Sequence, residues 1–127
     1  MNVEEQVEKF DIREFKRKEY IGDAVLSLII RELMYEPSPN KERRAANLNL
    51  CANMCSNSHL SRVAEALEMV PVEPSWNGKR MANLVEVKIC EVYEQDGLEA
   101  ARRWVIEHVV SMYDMGWYEK RLVEIGI

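Results

Sequence analysis

Apolar residues recur along the chain at the three- and four-residue spacing of α-helices, in segments separated by stretches rich in proline, glycine, serine or asparagine. The longest segment has Asp11 as a candidate N-cap and ends before Pro37-Ser38-Pro39, which must stop a helix. From Tyr20 to Ile30 every residue is apolar or small except Asp23 and Ser27. This pattern predicts a helix that is buried nearly all round, with Asp23 as an acid in the core.

The other segments are shorter and predict amphipathic helices. Strong strand-like alternation is missing from the sequence, so we expect an all-α domain. The second helix starts at Ser38 or Pro39, and its predicted apolar stripe is Ala45, Leu48, Cys51, Ala52 and Cys55. Val70 to Gly78 is the one long loop. The predicted helices span about 11–35, 38–55, 58–69, 79–94, 98–112 and 117–125.

The length and composition fit one helical domain over residues 1–127, with 1–11 as a short helix or a flexible arm. A hydrophobic content of 47% excludes disorder as the default state. The sequence contains neither a signal peptide nor an apolar run of membrane-spanning length, so we expect a cytoplasmic or other intracellular protein with no membrane partner. The three cysteines, Cys51, Cys55 and Cys90, read as reduced core thiols, with zinc binding as the lesser alternative.

The net charge of −5 argues against simple electrostatic binding of nucleic acid, but small basic clusters recur along the chain. Each cluster alone is more typical of a solvated helix face than of a phosphate contact. The candidate RNA-binding residues among them are Lys16, Arg17, Lys79 and Arg80.

Two pairs of oxygen-bearing side chains have helical spacing. Glu19 and Asp23 are four residues apart, and Asn83 and Glu86 are three apart, so each pair shares a helix face. If the two helices pack together, three carboxylates and a carboxamide meet, and such oxygen ligands suit Mg²⁺ or Mn²⁺. On the first helix alone, a structural Asp23 paired with a Lys or Arg elsewhere is an equally good interpretation.

Three stretches resemble the endonuclease domain of the ribonuclease III family. Glu19-Tyr20-Ile21-Gly22-Asp23-Ala24-Val25-Leu26 resembles the family's signature helix, and residues 49–67 are similar to the helix pair that follows. Residues 79–93, with Gly97-Leu98-Glu99-Ala100-Ala101, are similar to its second catalytic helix and the turn after it. The resemblance covers about residues 17–105 in the family's order.

The resemblance implies an all-helical homodimer that cleaves double-stranded or structured RNA with a divalent metal, leaving 5′-phosphate and 3′-hydroxyl ends. It implies catalytic, metal-binding roles for Glu19, Asp23 and Glu86, with Asn83 as a further ligand of Mg²⁺ or Mn²⁺. Neither a protein nucleophile nor a nucleotide cofactor is expected.

The chain departs from the family pattern at several positions. Asn83 stands where the family usually has Asp, Lys16 where it commonly has Glu, and Cys90 and Glu91 where it has small residues. Only about 16 residues precede the signature, a short start that resembles the Mini-RNase III branch, and we expect no double-stranded-RNA-binding domain.

Two alternatives to catalysis follow from the sequence. The loss of charge at Asn83 favours a catalytically silent ribonuclease III-like domain that acts as an RNA-binding or structural subunit. An ordinary helical dimer unrelated to RNA would instead have its acids exposed, or paired with Lys88 and Arg80.

Overall fold

The structure, a computed structural model, describes residues 11–35, 39–70 and 78–113, and every regular element in this part is helical. The all-α prediction is therefore confirmed. The predictions for the N-terminal arm, for most of the long loop and for a helix at 117–125 concern residues outside the described ones. The helices are α1 Ile12–Met34, α2 Lys41–Met54, α3 Asn57–Ala66, α4 Gly78–Asp96 and α5 Leu98–Val105, followed by a π-helical segment, Ile106–Val110.

The helix starts follow from local capping chemistry. The Asp11 side chain accepts hydrogen bonds from the backbone N–H groups of Arg13 and Glu14, at 2.9 and 3.4 Å, as its predicted N-cap role requires. Ser56 caps α3 in the same way. The second helix begins later than predicted, because Asn40 is the residue whose side chain accepts from a first-turn N–H, at 3.0 Å.

Helix α4 lies at the centre of the packing, with its largest contacts to α1 and α3 and a further contact to α5. Helix α2 covers the far side of α1 through a smaller contact. Burial of large apolar side chains between these helices stabilises the fold. The fully buried large side chains include Leu26, Ile29, Ile30, Met54, Leu60, Val63, Val85, Ile89, Val105 and Val109.

The prediction that α1 is buried nearly all round is wrong in this chain. Tyr20 is 80% exposed and Leu28 is 46% exposed, and Asp23 and Ala24 are exposed as well. The helix is buried along one stripe that includes Leu26 and packs on α4, as in an ordinary amphipathic helix. Leu28 and Leu33 remain exposed on α1, among charged side chains such as Lys16, Arg31 and Glu32.

The predicted apolar stripe of α2 is also largely wrong. Ala45, Leu48 and Ala52 are exposed, Leu48 by 59%, and of the predicted stripe only Cys51 is buried, together with Ala46, Leu50 and Met54, which were not predicted. Apolar residues lie on two nearly opposite faces of α2, and only one of these faces is buried. The three cysteines are free thiols, as predicted, with Cys55 half-buried and the other two buried.

The predicted fifth helix changes its geometry at Ile106. Within the π-helical segment, the N–H of Ser111 donates to the Ile106 carbonyl at 3.1 Å, five residues back instead of four. His59 is buried, and burial lowers the pKa of its ring, so a neutral Nε2–H donates to the Val109 carbonyl at 2.7 Å. Val105 and Val109 are fully buried on either side of the change in geometry, whereas Met112, at the end of the predicted helix, is 41% exposed.

None of the helices in the described ranges combines the length and the apolar character needed to cross a membrane.

Candidate metal and nucleic-acid site

The backbones of α1 and α4 touch at Gly22. A Cβ atom placed on Gly22 would lie 1.7 Å from the carbonyl oxygen of Glu86 and 3.1 Å from its Cα. Only a glycine fits at this crossing, because any side chain would penetrate the neighbouring backbone. Since Asp23 follows Gly22 in the sequence, the close approach brings Asp23 and Glu86 side by side.

The pair Glu19 and Asp23 of α1 and the pair Asn83 and Glu86 of α4 line a single pocket of about 590 Å³. Seven side chains form its lining: Lys16, Glu19, Tyr20, Asp23, Arg80, Asn83 and Glu86. All four residues predicted as metal ligands are among them. The sequence predicted that they meet only if the two helices pack together, and in the structure the two helices do pack together.

The buried acid of the pocket is Glu86. Its side chain is 7% exposed and that of Asn83 is 8% exposed, whereas Asp23 is exposed and Glu19 is half-buried. Asp23 had been predicted to be the acid in the core, but it lies on the open side of α1, at the pocket. The acid that is more strongly shielded from solvent is therefore Glu86 of α4, not Asp23 of α1.

The pKa of Glu86 is raised to about 8, chiefly by burial. A hydrogen bond with Asp23 and the negative charges of Asp23 and Glu19 contribute to the same rise, since each disfavours a second ionised carboxylate nearby. At neutral pH Glu86 is therefore mostly protonated and donates its proton to the Asp23 carboxylate. The proton removes the repulsion between the two carboxylates, as a divalent cation bound at the same place would.

The donor set fits a hard divalent cation, because it consists of carboxylate oxygens and one amide oxygen. Within the described residues, no three side chains among Asp, Glu, His and Cys already stand in metal-holding positions. A bound ion would therefore have to replace the Glu86 proton and draw the carboxylates inward. Soft-metal chemistry is not favoured, since the pocket lining contains neither thiol nor imidazole.

The basic residues predicted to contact RNA occupy different places. Lys16 on α1 and Arg80 on α4 are exposed and line the acidic pocket. Arg17 is not part of the lining: its guanidinium donates to both oxygens of Glu94, at 2.9 and 2.9 Å, and to both oxygens of Glu14, at 2.8 and 3.2 Å. The Lys79 side chain lies outside the described residues.

Contacts between α1 and α4 account for the departure from the family pattern at Cys90 and Glu91. The Cys90 thiol is buried against α1 and donates to the Glu94 carboxylate at 3.3 Å, while Arg17 holds the pKa of Glu94 down at about 2. At the same contact between α1 and α4, the ammonium group of Lys18 lies 3.7 Å from the carboxylate of Glu91. Sequence reasoning missed these links between α1 and α4, because Arg17 and Glu94 are 77 positions apart and no local spacing signals their contact.

The all-helical architecture is consistent with a ribonuclease III endonuclease-like domain. Comparison with known proteins supports the same class. Ribonuclease 3 of Sinorhizobium medicae (strain WSM419) is 31% identical over 74% of this chain and 43% of that protein. Ribonuclease 3 of Sinorhizobium fredii (strain NBRC 101917 / NGR234) is 32% identical with the same coverage, 74% and 43%. Ribonuclease 3 of Limosilactobacillus reuteri (strain DSM 20016) is 25% identical over 85% of this chain and 50% of that protein.

These matches confirm the resemblance, and the chain is a ribonuclease III homologue. It spans half or less of the length of the relatives it matches, 43% of the rhizobial proteins and 50% of the Limosilactobacillus protein. No family model matches the chain, and no solved structure matches it significantly.

Proposed function

We propose that this protein is a metal-dependent endoribonuclease that cleaves double-stranded RNA and leaves 5′-phosphate and 3′-hydroxyl ends. The observation that carries the proposal is the meeting of Glu19, Asp23, Asn83 and Glu86 in one pocket at the α1–α4 crossing. The similarity to proteins named ribonuclease 3 supports the same reaction.

The three carboxylates and the Asn83 amide would hold Mg²⁺, or Mn²⁺ in its place. Such an ion supplies Lewis-acid activation of a phosphodiester and of the attacking water. The residues of the chain position the ion: Asp23 and Glu19 offer charge from α1, and Glu86 contributes a carboxylate after it releases its proton. Asn83 offers a neutral oxygen, so ion binding is weaker than with a fourth carboxylate.

Two cationic side chains at the pocket would hold the RNA backbone. Lys16 and Arg80 project from different helices into the same open pocket, so they can meet phosphates next to the one that is cleaved. Binding through a few such contacts depends strongly on salt. We expect the affinity for an RNA duplex to fall steeply between low and physiological salt.

We also propose that the functional unit is a homodimer formed through the exposed apolar side chains of α1 and α2. Tyr20, Leu28, Tyr35 and Leu48 are 80%, 46%, 75% and 59% exposed. A groove of about 300 Å³ lies at Tyr35 and Leu48, and its lining also includes Met34 and Cys51 together with Arg31, Arg44 and Asn47. Exposed apolar side chains on two packed helices are typical of an interaction face. A second copy would place two acidic pockets on one assembly.

The dimer is tested by the molar mass in solution, measured by light scattering across a concentration series. We expect Leu48→Glu to shift the protein to the monomer, whereas Leu67→Glu, at the half-buried position that follows α3, serves to show what destabilisation alone does to the mass. A wild-type protein that stays monomeric at high micromolar concentration would contradict the proposal.

The alternative function, a catalytically silent RNA-binding or structural subunit, is favoured by one observation. Asn83 lies buried in the pocket, where a fourth carboxylate would otherwise add charge to the metal site. In that case RNA binding persists while cleavage is lost.

The deciding experiment measures cleavage of an end-labelled RNA duplex with Mg²⁺, with Mn²⁺ or with EDTA. We expect metal-dependent cleavage that is lost in Asp23→Asn and kept in the control Asp96→Asn, which removes an exposed acid at the far end of α4. A gain in Asn83→Asp would show that the missing charge limits the rate. An inactive wild type with an active Asn83→Asp supports the silent-subunit alternative, and inactivity of both argues against a nuclease.

A further inference from the structure

We propose that Lys16 takes the place of a second metal ion, so that each acidic pocket holds one divalent cation. This inference rests on the proposed metal-dependent function of the pocket. It concerns how many ions the site accepts and which side chain sets that number.

The position of Lys16 places it on the same helix face as the two acids of α1. Lys16 lies three residues before Glu19 and seven before Asp23, so all three share one face of α1. It is exposed and belongs to the pocket lining. A lysine carries a compact ammonium on a flexible four-carbon stem, so it can follow the carboxylates when they move.

The charge count of the lining limits the number of ions. With its acids ionised, the pocket carries three negative side chains, two positive ones in Lys16 and Arg80, and the neutral Asn83, which leaves one negative charge. One divalent cation makes the lining singly positive, and a single phosphodiester balances that charge. Two divalent cations would leave three positive charges in a space of about 590 Å³, and Coulomb repulsion disfavours that arrangement.

The test counts ions directly. Mn²⁺ is titrated into the RNA-free protein by calorimetry, and free Mn²⁺ is followed in parallel by electron paramagnetic resonance. We expect one Mn²⁺ per wild-type chain, and the same number for Lys16→Arg. Lys16→Glu should bind the first ion on the order of tenfold more tightly and gain a second, and Lys16→Gln should give an intermediate affinity.

The matched control is Lys88→Glu, which makes the same change in net charge at an exposed position of α4 outside the pocket lining. We expect it to change the Mn²⁺ affinity by no more than about twofold, because solvent and salt screen an exposed charge on another face of the helix. Thermal unfolding of each variant without metal shows that it is folded.

Two Mn²⁺ ions in the wild type, or equal behaviour of Lys16→Glu and Lys88→Glu, would overturn the inference and leave the proposed nuclease standing. Absence of Mn²⁺ binding in both the wild type and Lys16→Glu would overturn the inference and the metal-dependent function together.

Discussion

Replacing Gly22 by alanine tests the crossing that forms the site. The new methyl carbon would lie 1.7 Å from the Glu86 carbonyl oxygen, where contacts below 3.0 Å essentially never occur. The obstacle is backbone, so α1 and α4 must separate by about 1.3 Å or more along that contact. Overpacking of a core costs about 1–3 kcal/mol, and a backbone clash belongs at or above the upper end. For a chain of this size, about 3 kcal/mol corresponds to a drop of roughly 10 °C in Tm.

The separation should also change the chemistry of the pocket. Burial is the main reason for the raised pKa of Glu86, so hydration at the opened crossing should lower this pKa from about 8 towards the ordinary range. Thermal unfolding by circular dichroism gives the first effect, and carboxyl chemical shifts in an NMR pH titration give the second.

The control is Gly97→Ala. Gly97 has φ +90° with nothing near its Cβ position, so alanine there costs about 1–3 kcal/mol of backbone strain. The Gly97→Ala substitution should leave the pKa of Glu86 unchanged. If Gly22→Ala instead melts within about 2 °C of the wild type and keeps a raised Glu86 pKa, the two helices are not held by this contact and the explanation of the site is refuted.

Further predictions concern the two perturbed carboxyl groups. Between about pH 5 and pH 8 the folded protein keeps the Glu86 proton that the unfolded chain releases, so metal-free stability should fall as pH rises, by up to about 1.4 kcal/mol per unit. Urea unfolding of Glu86→Gln should lack this slope, and Mn²⁺ affinity of the wild type should rise over the same range as the competing proton leaves. Arg17 keeps the pKa of Glu94 at about 2, so the stability from this pair is lost as pH falls from about 4.5 to 2; Arg17→Met should remove that loss and return the Glu94 pKa towards its usual value, measured by NMR titration.

The sequence predicted well what local chemistry determines. Asp11 acts as an N-cap because a short polar side chain can bond the free N–H groups of the next turn, whatever the rest of the chain does. The spacing of Glu19 with Asp23, and of Asn83 with Glu86, likewise places each pair on one face of a helix. These predictions depend on a few neighbouring residues, so they are confirmed in the folded chain.

The sequence could not predict which apolar face meets the core. Leu48 and Leu50 are two positions apart and lie on nearly opposite faces of α2, and only Leu50 is buried. Hydrophobicity marks both faces, and the choice between them depends on how many helices are available to cover them. The same reasoning applies to the burial of Glu86 over Asp23, since it is set by the depth at which α1 and α4 cross and not by either helix alone.

The π-helical segment has a consequence for how this chain is compared with its relatives. Hydrogen bonding over five residues accommodates one residue more than an α-helical turn would, so the segment behaves as a single-residue insertion within a helix. A relative that is α-helical throughout this region should align with this chain through a one-residue gap near 106–110. An alignment without that gap would pair Val109, whose carbonyl accepts the His59 bond, with a residue that faces another direction.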